Sequence, residues 1–482
     1  MNREFSVFGF RFSVKEPREK TFLVSLALMG ALLWGSLAYG AEASKVLGTR
    51  QDLPNGLVWL HSQQSGLPLV TLQLLVKTGT LQESPEKAGL ANLTAQLLLS
   101  GTKSRSATQI AQELDVLGAK LRASGGEDFA SVSLTVLKKD LAAGLGLMQD
   151  ILLNPAFAPE EVKRTVSRLK AALQQEEDEP GVVAARAFAK DLYGAFPYGR
   201  PARGTPQGLS AITQKDLKEF HQRYYLPNNA ILSVVGDLNP EEAGKWVTRT
   251  FGGWPAAPIP ARNLPPIPAL NETRVKVINK DITQANVILG NLGMARNNPD
   301  FYAAQVMNYI LGGGGFASRL LDNIRVNRGL AYSVHSNFSP GLEPGPFAVT
   351  LETKNASARD AVNQVVAEME RIRKEPVTPE ELSDAKSYLI GSFPRKMDSL
   401  DKRAWLLGYV ELYNLGLDYP WRYPELIQGL TPQDIQRAAN KYLHPDKYLL
   451  VVVGKTSEMP SLSGVHPAGK EEKQDEPKKS AD

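Results

Sequence analysis

Histidine, cysteine and clustered carboxylates are the residues with which a chain most readily binds a metal or attacks a substrate. Cysteine is absent, which excludes disulfides, a thiol nucleophile, a cysteine zinc site and a lipoprotein anchor. The five histidines are His61, His221, His335, His444 and His466, and no two lie within five residues of each other. No pair therefore stands one helical turn apart, the spacing at which a helix offers two imidazoles to one metal. His221 falls on an amphipathic run and reads as a packing or surface residue. His335, near Tyr332, could touch a ligand, although a histidine near an interior strand more often only makes a hydrogen bond. Four consecutive glycines, Gly312, Gly313, Gly314 and Gly315, suggest a phosphate loop, but the run lacks both the Gly-Lys-Ser/Thr ending and the dinucleotide spacing. Its expected use is backbone freedom and close approach.

The elements around that run are legible. Phe316, Leu320, Leu321 and Ile324 recur at the spacing of one apolar helix face. Arg325 and Arg328 lie in the last turn, where cations suit the negative end of a helix, and Gly329 is placed as its stop. Leu330, Tyr332 and Val334 then alternate as in a strand. Residues 311–335 thus read as glycine loop, helix, glycine stop and strand, with Arg328 and Tyr332 on either side of a sharp corner. On local grounds alone, Arg328 would cap the helix and Tyr332 would fill the sheet.

The run of Gly-Gly, Ser-Arg-Leu, Ile-Arg and Arg-Gly-Leu-Ala-Tyr resembles the second-domain signature of the insulinase/pitrilysin zinc metallopeptidases, in particular relatives of the mitochondrial processing peptidase. The resemblance implies that Arg328 and Tyr332 reach a bound peptide and that the glycine run handles substrate. It also implies a zinc helix in the first half, with His-x-x-Glu-His supplying two ligands and the base that activates water. The flanks are present: Ala88-Gly89-Leu90-Ala91 before, and Leu97 onward to Ser100-Gly101-Thr102 after. Between them, the histidine positions hold Asn92 and Gln96, and the glutamate position holds Ala95. The third ligand, a glutamate on a later helix before an acidic turn, falls on Ala171 or Ala172. Amides are weak zinc ligands and alanine is none. The expectation is no metal on this chain.

The search for repeats places these motifs in two domains. At an offset of 218 residues, Thr213 meets Thr431, Asp216 meets Asp434, Tyr224 meets Tyr442, Pro227 meets Pro445 and Gly236 meets Gly454. Each copy reads as a capped helix, a proline turn and a buried strand. Pro159-Glu160-Glu161 and Pro379-Glu380-Glu381 are a second echo, both helix starts. Strand patterns at 69–77, 130–137 and 231–235 interleave with helical runs without strict alternation. The predicted class is therefore α+β: two homologous domains, each a mixed, largely antiparallel sheet with helices packed on it. The expected domains are 44–253 and 272–456, joined by the proline-rich segment 254–271.

A net charge of +4 over 482 residues, with 43% hydrophobic and 22% charged residues, is ordinary for a globular protein and gives no footprint for nucleic acid. Basic residues up to Lys20, an apolar run at 22–33 and small residues at 37–43 read as a secretory signal over 1–43. An uncleaved anchor is the alternative, and either places the body outside the cytoplasm, with the periplasm expected. Residues 457–482, rich in Lys, Glu, Pro and Ser, are expected to be disordered. Two functions from different classes follow. One is the non-catalytic, substrate-binding subunit of a heterodimeric zinc peptidase whose sister chain carries the zinc. The other is a structural or peptide-binding scaffold of the same fold.

Overall fold

The structure, a computed structural model, describes residues 45–462. Residues 1–44, where the secretory signal is expected, and residues 463–482 lie outside them. The first sheet holds β1 (Thr49–Asp52), β2 (Val58–Gln63), β3 (Leu69–Val76), β4 (Lys120–Gly125), β5 (Ala130–Leu137) and β6 (Ala230–Gly236), in the order β1-β2-β6-β3-β5-β4. The second holds β7 (Arg274–Asn279), β8 (Gln284–Leu292), β9 (Ala331–Phe338), β10 (Pro346–Lys354) and β11 (Leu449–Gly454), in the order β7-β11-β8-β10-β9. In both, a parallel pair (β2 with β6, β7 with β11) opens a run of antiparallel pairs. The second sheet thus repeats five strands of the first, strand for strand, and the mixed, largely antiparallel class is the observed one.

The repeated helix-turn-strand units form as their sequences dictate. Thr213 and Thr431 each close a capping box, with Asp216 and Asp434 reaching back to the cap. The two Pro-Glu-Glu starts open the helices Pro159–Glu176 and Pro379–Ser392. Residues 254–271 carry neither helix nor strand, as expected of their prolines. They are more than a spacer, because Leu264, Ile267 and Leu270 pack beside the helix Pro180–Tyr193.

The helices cross between the repeats. Strands β3, β6 and β11 are buried almost throughout, so both faces of each sheet need cover. Pro180–Tyr193, from the first repeat, lays Ala184, Phe188 and Leu192 on Ile288, Leu449 and Val451 of the second sheet. Leu400–Leu412, from the second repeat, covers β3 and β6 of the first, and Gly408 lets it approach Leu75 closely. The two halves therefore interlock through apolar clusters built from both rather than packing as separate bodies. Asp128, buried after β4, ties them further: it accepts hydrogen bonds from Tyr198, from Tyr413 (3.1 Å) and from the Leu342 N–H (2.8 Å). Order also extends past residue 457. Thr456–Glu458 form a turn and Leu462 is buried in the second core, because an apolar contact outweighs the polar composition around it.

Candidate functional site

Asn92, Ala95 and Gln96 lie on the helix Leu90–Leu97, pressed against β4 so tightly that a side chain at Gly125 would collide with Asn92 Cα. The side chains form one polar chain. Arg168 Nη2 donates to Gln96 Oε1 (2.8 Å), Gln96 Nε2 to Asn92 Oδ1 (2.5 Å), and Asn92 Nδ2 to the Gly125 carbonyl (2.8 Å). Ala95 is wholly buried in the first core. Two amides committed to each other, an alanine and a guanidinium do not fit a zinc ion, which needs imidazole, thiolate or carboxylate. Among the described residues no three His, Asp or Glu side chains converge as a metal site.

Helical geometry separates the two positions considered for a third ligand. At 100° per residue, Ala172 lies between Arg168 and the buried stripe Thr165, Leu169 and Leu173, whereas Ala171 turns away from that stripe. Ala172 is accordingly half-buried and Ala171 exposed. Ala172 is the position that faces the helix Leu90–Leu97.

Sequence reasoning missed a buried acid beside this helix. Gly89, at φ +102°, begins the helix and has no side chain to cap it. Glu83 does so from a distance, accepting the N–H groups of Gly89 (3.0 Å) and Ala91 (2.6 Å). Burial pushes its carboxyl up to about 7, against the pull of those two donors and of Arg200. A remote cap leaves no local signal in the sequence.

At the second motif, two expectations need correction. Phe316 does not share the apolar face of Leu320, Leu321 and Ile324: it sits in a short turn, 74% exposed. Gly315, with φ +59°, reverses the chain there, and the helix proper starts only afterwards. That helix runs as a wide π-turn over Leu321–Asn327 and stops at Gly329, φ +61°, whose N–H reaches the Arg325 carbonyl (3.1 Å). Nor do Tyr332 and Val334 share a face. Glu352 pairs with Ser333 and Thr353 with Ala331, so Tyr332 is the extra residue of a β-bulge. The bulge buries Ala331 and Val334 and leaves Tyr332 70% exposed.

The arginine brought to Tyr332 is Arg325. Its guanidinium lies between the Phe316 ring (5.4 Å) and the Tyr332 ring (5.5 Å), a cation held by two exposed aromatics. Arg328 turns the other way. Its Nε donates to Asn323 Oδ1 (2.8 Å), and Asn323 in turn donates to the buried Glu368 (2.7 Å). Its other nitrogens make no hydrogen bond among the described residues. The signal for Arg325 was present, one helical turn before Arg328, but was absorbed by its reading as a capping cation. In the glycine run, a side chain at Gly312 would strike Ser336 Oγ and Leu320, so close approach is its role there, while Gly313 and Gly314 lie against Asn308 and Tyr309.

His221 is a packing residue: its Nε2 bonds the Leu152 carbonyl (2.8 Å), its ring stacks on Tyr225, and burial drives it down to about 4. His335 is exposed on β9 and bonds Thr350 across the strand pair (2.8 Å).

Residues 60–206 match the family model described as "Insulinase (Peptidase family M16)", and residues 211–389 match "Peptidase M16 inactive domain". The chain is 28% identical over 395 residues to an uncharacterized zinc protease of Rickettsia bellii, covering 81% of this chain and 93% of that one. With the uncharacterized zinc protease YmxG of Bacillus subtilis it shares 24% identity, over 86% of this chain and 99% of that one. The crystal structure of a peptidase M16 inactive domain from Pseudomonas fluorescens superposes with a TM-score of 0.81 at 29% identity, over 86% of this chain and all of that one. A protease from Helicobacter pylori shares the fold, with a TM-score of 0.78 at 23% identity over 84% of this chain and 98% of that one.

Proposed function

The chain belongs to the insulinase family of peptidases, and from that premise we propose that it is a non-catalytic, substrate-binding subunit that works outside the cytoplasm with a zinc-bearing sister chain. The observation that carries this reading is the contrast between its two motifs. The positions of the metal helix are tied up by Arg168 and two amides. Tyr332, by contrast, is lifted out of its sheet by a bulge and left exposed, backed by a cation. A ring that only filled the sheet would be buried.

In this reading the substrate is an unfolded peptide enclosed between the two chains. The partner supplies zinc and the base that activates water. Tyr332 directs its hydroxyl at the substrate backbone or at the oxyanion that develops during cleavage. Arg325 orients the ring, and the free nitrogens of Arg328 donate to substrate carbonyls. Gly312, Gly313, Gly314 and Gly315 form the wall that lets the peptide lie close.

One observation favours a scaffold instead: Arg328 is held by Asn323, which is itself anchored on the buried Glu368, as a residue that stabilises the helix end would be. The two readings separate experimentally. A sister chain with an intact His-x-x-Glu-His helix, sought in a neighbouring reading frame, would be co-purified with this chain. Neither chain alone should cleave an unfolded peptide, and the pair should. A pair that assembles and carries zinc but cleaves nothing would favour the scaffold.

A further inference from the structure

The internal repeat places a pocket in the second half where the first half carries its Asn92–Gln96 face. The helix Phe301–Asn308 follows β8 as Leu90–Leu97 follows β3. Counted from the shared Pro-Glu-Glu starts, Tyr388 takes the place of Arg168. In the first half Arg168 meets Gln96. In the second, Tyr388 meets Tyr309, ring centroids 4.9 Å apart. There the gap is not closed by a polar chain: it opens into a cavity of about 300 Å³. Gly313 of the glycine run forms part of its rim.

We infer that this cavity is a subsite for one neutral aromatic side chain of the bound peptide, an inference that rests on the peptide-binding reading above. The size admits a single ring side chain, being at the low end for ligand pockets. Phe301, Tyr309, Phe338, Tyr388 and Tyr409 supply ring walls, against which an inserted ring packs edge or face. No acid or base lines the cavity. An anionic side chain would therefore lose its water without gaining a charged partner. A cationic side chain would meet opposition from behind the wall. Arg296, 2% exposed, already lies 3.8 Å from the Phe301 centroid and donates to the Tyr409 oxygen (2.6 Å). Gln305 Oε1 accepts from the Tyr423 hydroxyl (3.1 Å), and its NH2 group has no partner among the described residues. It is a donor for a tyrosine hydroxyl or a peptide carbonyl at the pocket.

The test uses the whole chain and a short, fluorescently labelled, unfolded peptide containing one phenylalanine, followed by anisotropy. Replacing that phenylalanine with alanine should weaken binding about tenfold or more, the worth of burying one aromatic side chain. Lysine and glutamate at the same place should weaken it at least as much. Tyr388→Ala, at a half-exposed position, should bring the phenylalanine and alanine peptides level while leaving the melting temperature near wild type. Leu389→Trp, which adds bulk to the cavity lining, should also bring the two peptides level without removing a wall. Equal binding of the two peptides to the wild type would overturn the subsite and leave the peptide-binding reading standing. Tighter binding of the lysine peptide would overturn it in favour of a cation cage. Failure of every peptide to bind, with or without the sister chain, would take down the peptide-binding reading itself.

Discussion

Rebuilding the metal helix should give a markedly weaker zinc site unless Arg168 is removed as well. The perturbation is Asn92→His, Ala95→Glu and Gln96→His together with Ala172→Glu, made with Arg168 present and with Arg168→Ala. Arg168 Nη2 stands 2.8 Å from the side-chain oxygen of residue 96. A zinc ion lies about 2 Å beyond a histidine nitrogen, so the guanidinium would sit about 5 Å from it. Arg168 is exposed, so an effective dielectric of about 40–80 applies, and a single positive charge then opposes the dication by about 2–3 kcal/mol. That corresponds to a loss of zinc affinity of about thirtyfold to a hundredfold. Competition with a chromophoric chelator measures it, with circular dichroism as the check on folding. The Arg168→Ala background should bind zinc more tightly by that factor. Ala171→Glu in place of Ala172→Glu should contribute little, because it turns away from the helix Leu90–Leu97. Equal zinc affinity with and without Arg168 would refute the placement of the guanidinium in the site.

Three further outcomes are expected. Glu83 is raised in the folded state from 4.5 to about 7, so it favours the fold when protonated, and its contribution is lost as pH climbs between those values. Glu83→Gln should flatten the fall in stability over that window, by about 3 kcal/mol at most, measured by urea unfolding at pH 5 and 7.5. Asp128→Ala leaves the Tyr198 and Tyr413 hydroxyls and the Leu342 N–H without their acceptor. It should cost about 3 kcal/mol or more and lower a single cooperative transition, because both halves lean on it, whereas two separate transitions would contradict interlocked halves. Arg325→Ala should reduce turnover by the pair while leaving the melting temperature nearly unchanged, since its two ring contacts are exposed and contribute about 1 kcal/mol or less each.

Much of the fold could be read from local pattern, because capping boxes, proline starts and period-two strands are decided within a few residues. Thr213 and Thr431, or Ala130–Leu137, show this. The exchange of helices between the repeats could not. The apolar content of Leu400–Leu412 says that it must be buried, but no periodicity says against which sheet. The site failed to follow pattern at two points where glycine and register intervene. Phe316 has helical spacing from Leu320, yet Gly315 turns the chain before the helix begins. Tyr332 and Val334 are two apart, yet the bulge places them on opposite faces. The side-chain types at Asn92, Ala95 and Gln96 and their place on one short helix could be read locally. The contact of Gln96 with Arg168 could not, because the two helices are joined only in space.

The central claim is that this chain acts on substrate through the exposed Tyr332 while its partner holds the metal. Tyr332→Phe tests it most directly, since the variant keeps the ring over Arg325 and deletes only the hydroxyl. Purified with the zinc-bearing sister chain, the variant should assemble and melt as wild type, and its kcat/KM on an unfolded peptide should fall on the order of a hundredfold or more. Wild-type kcat/KM in an assembled Tyr332→Phe complex would contradict the account.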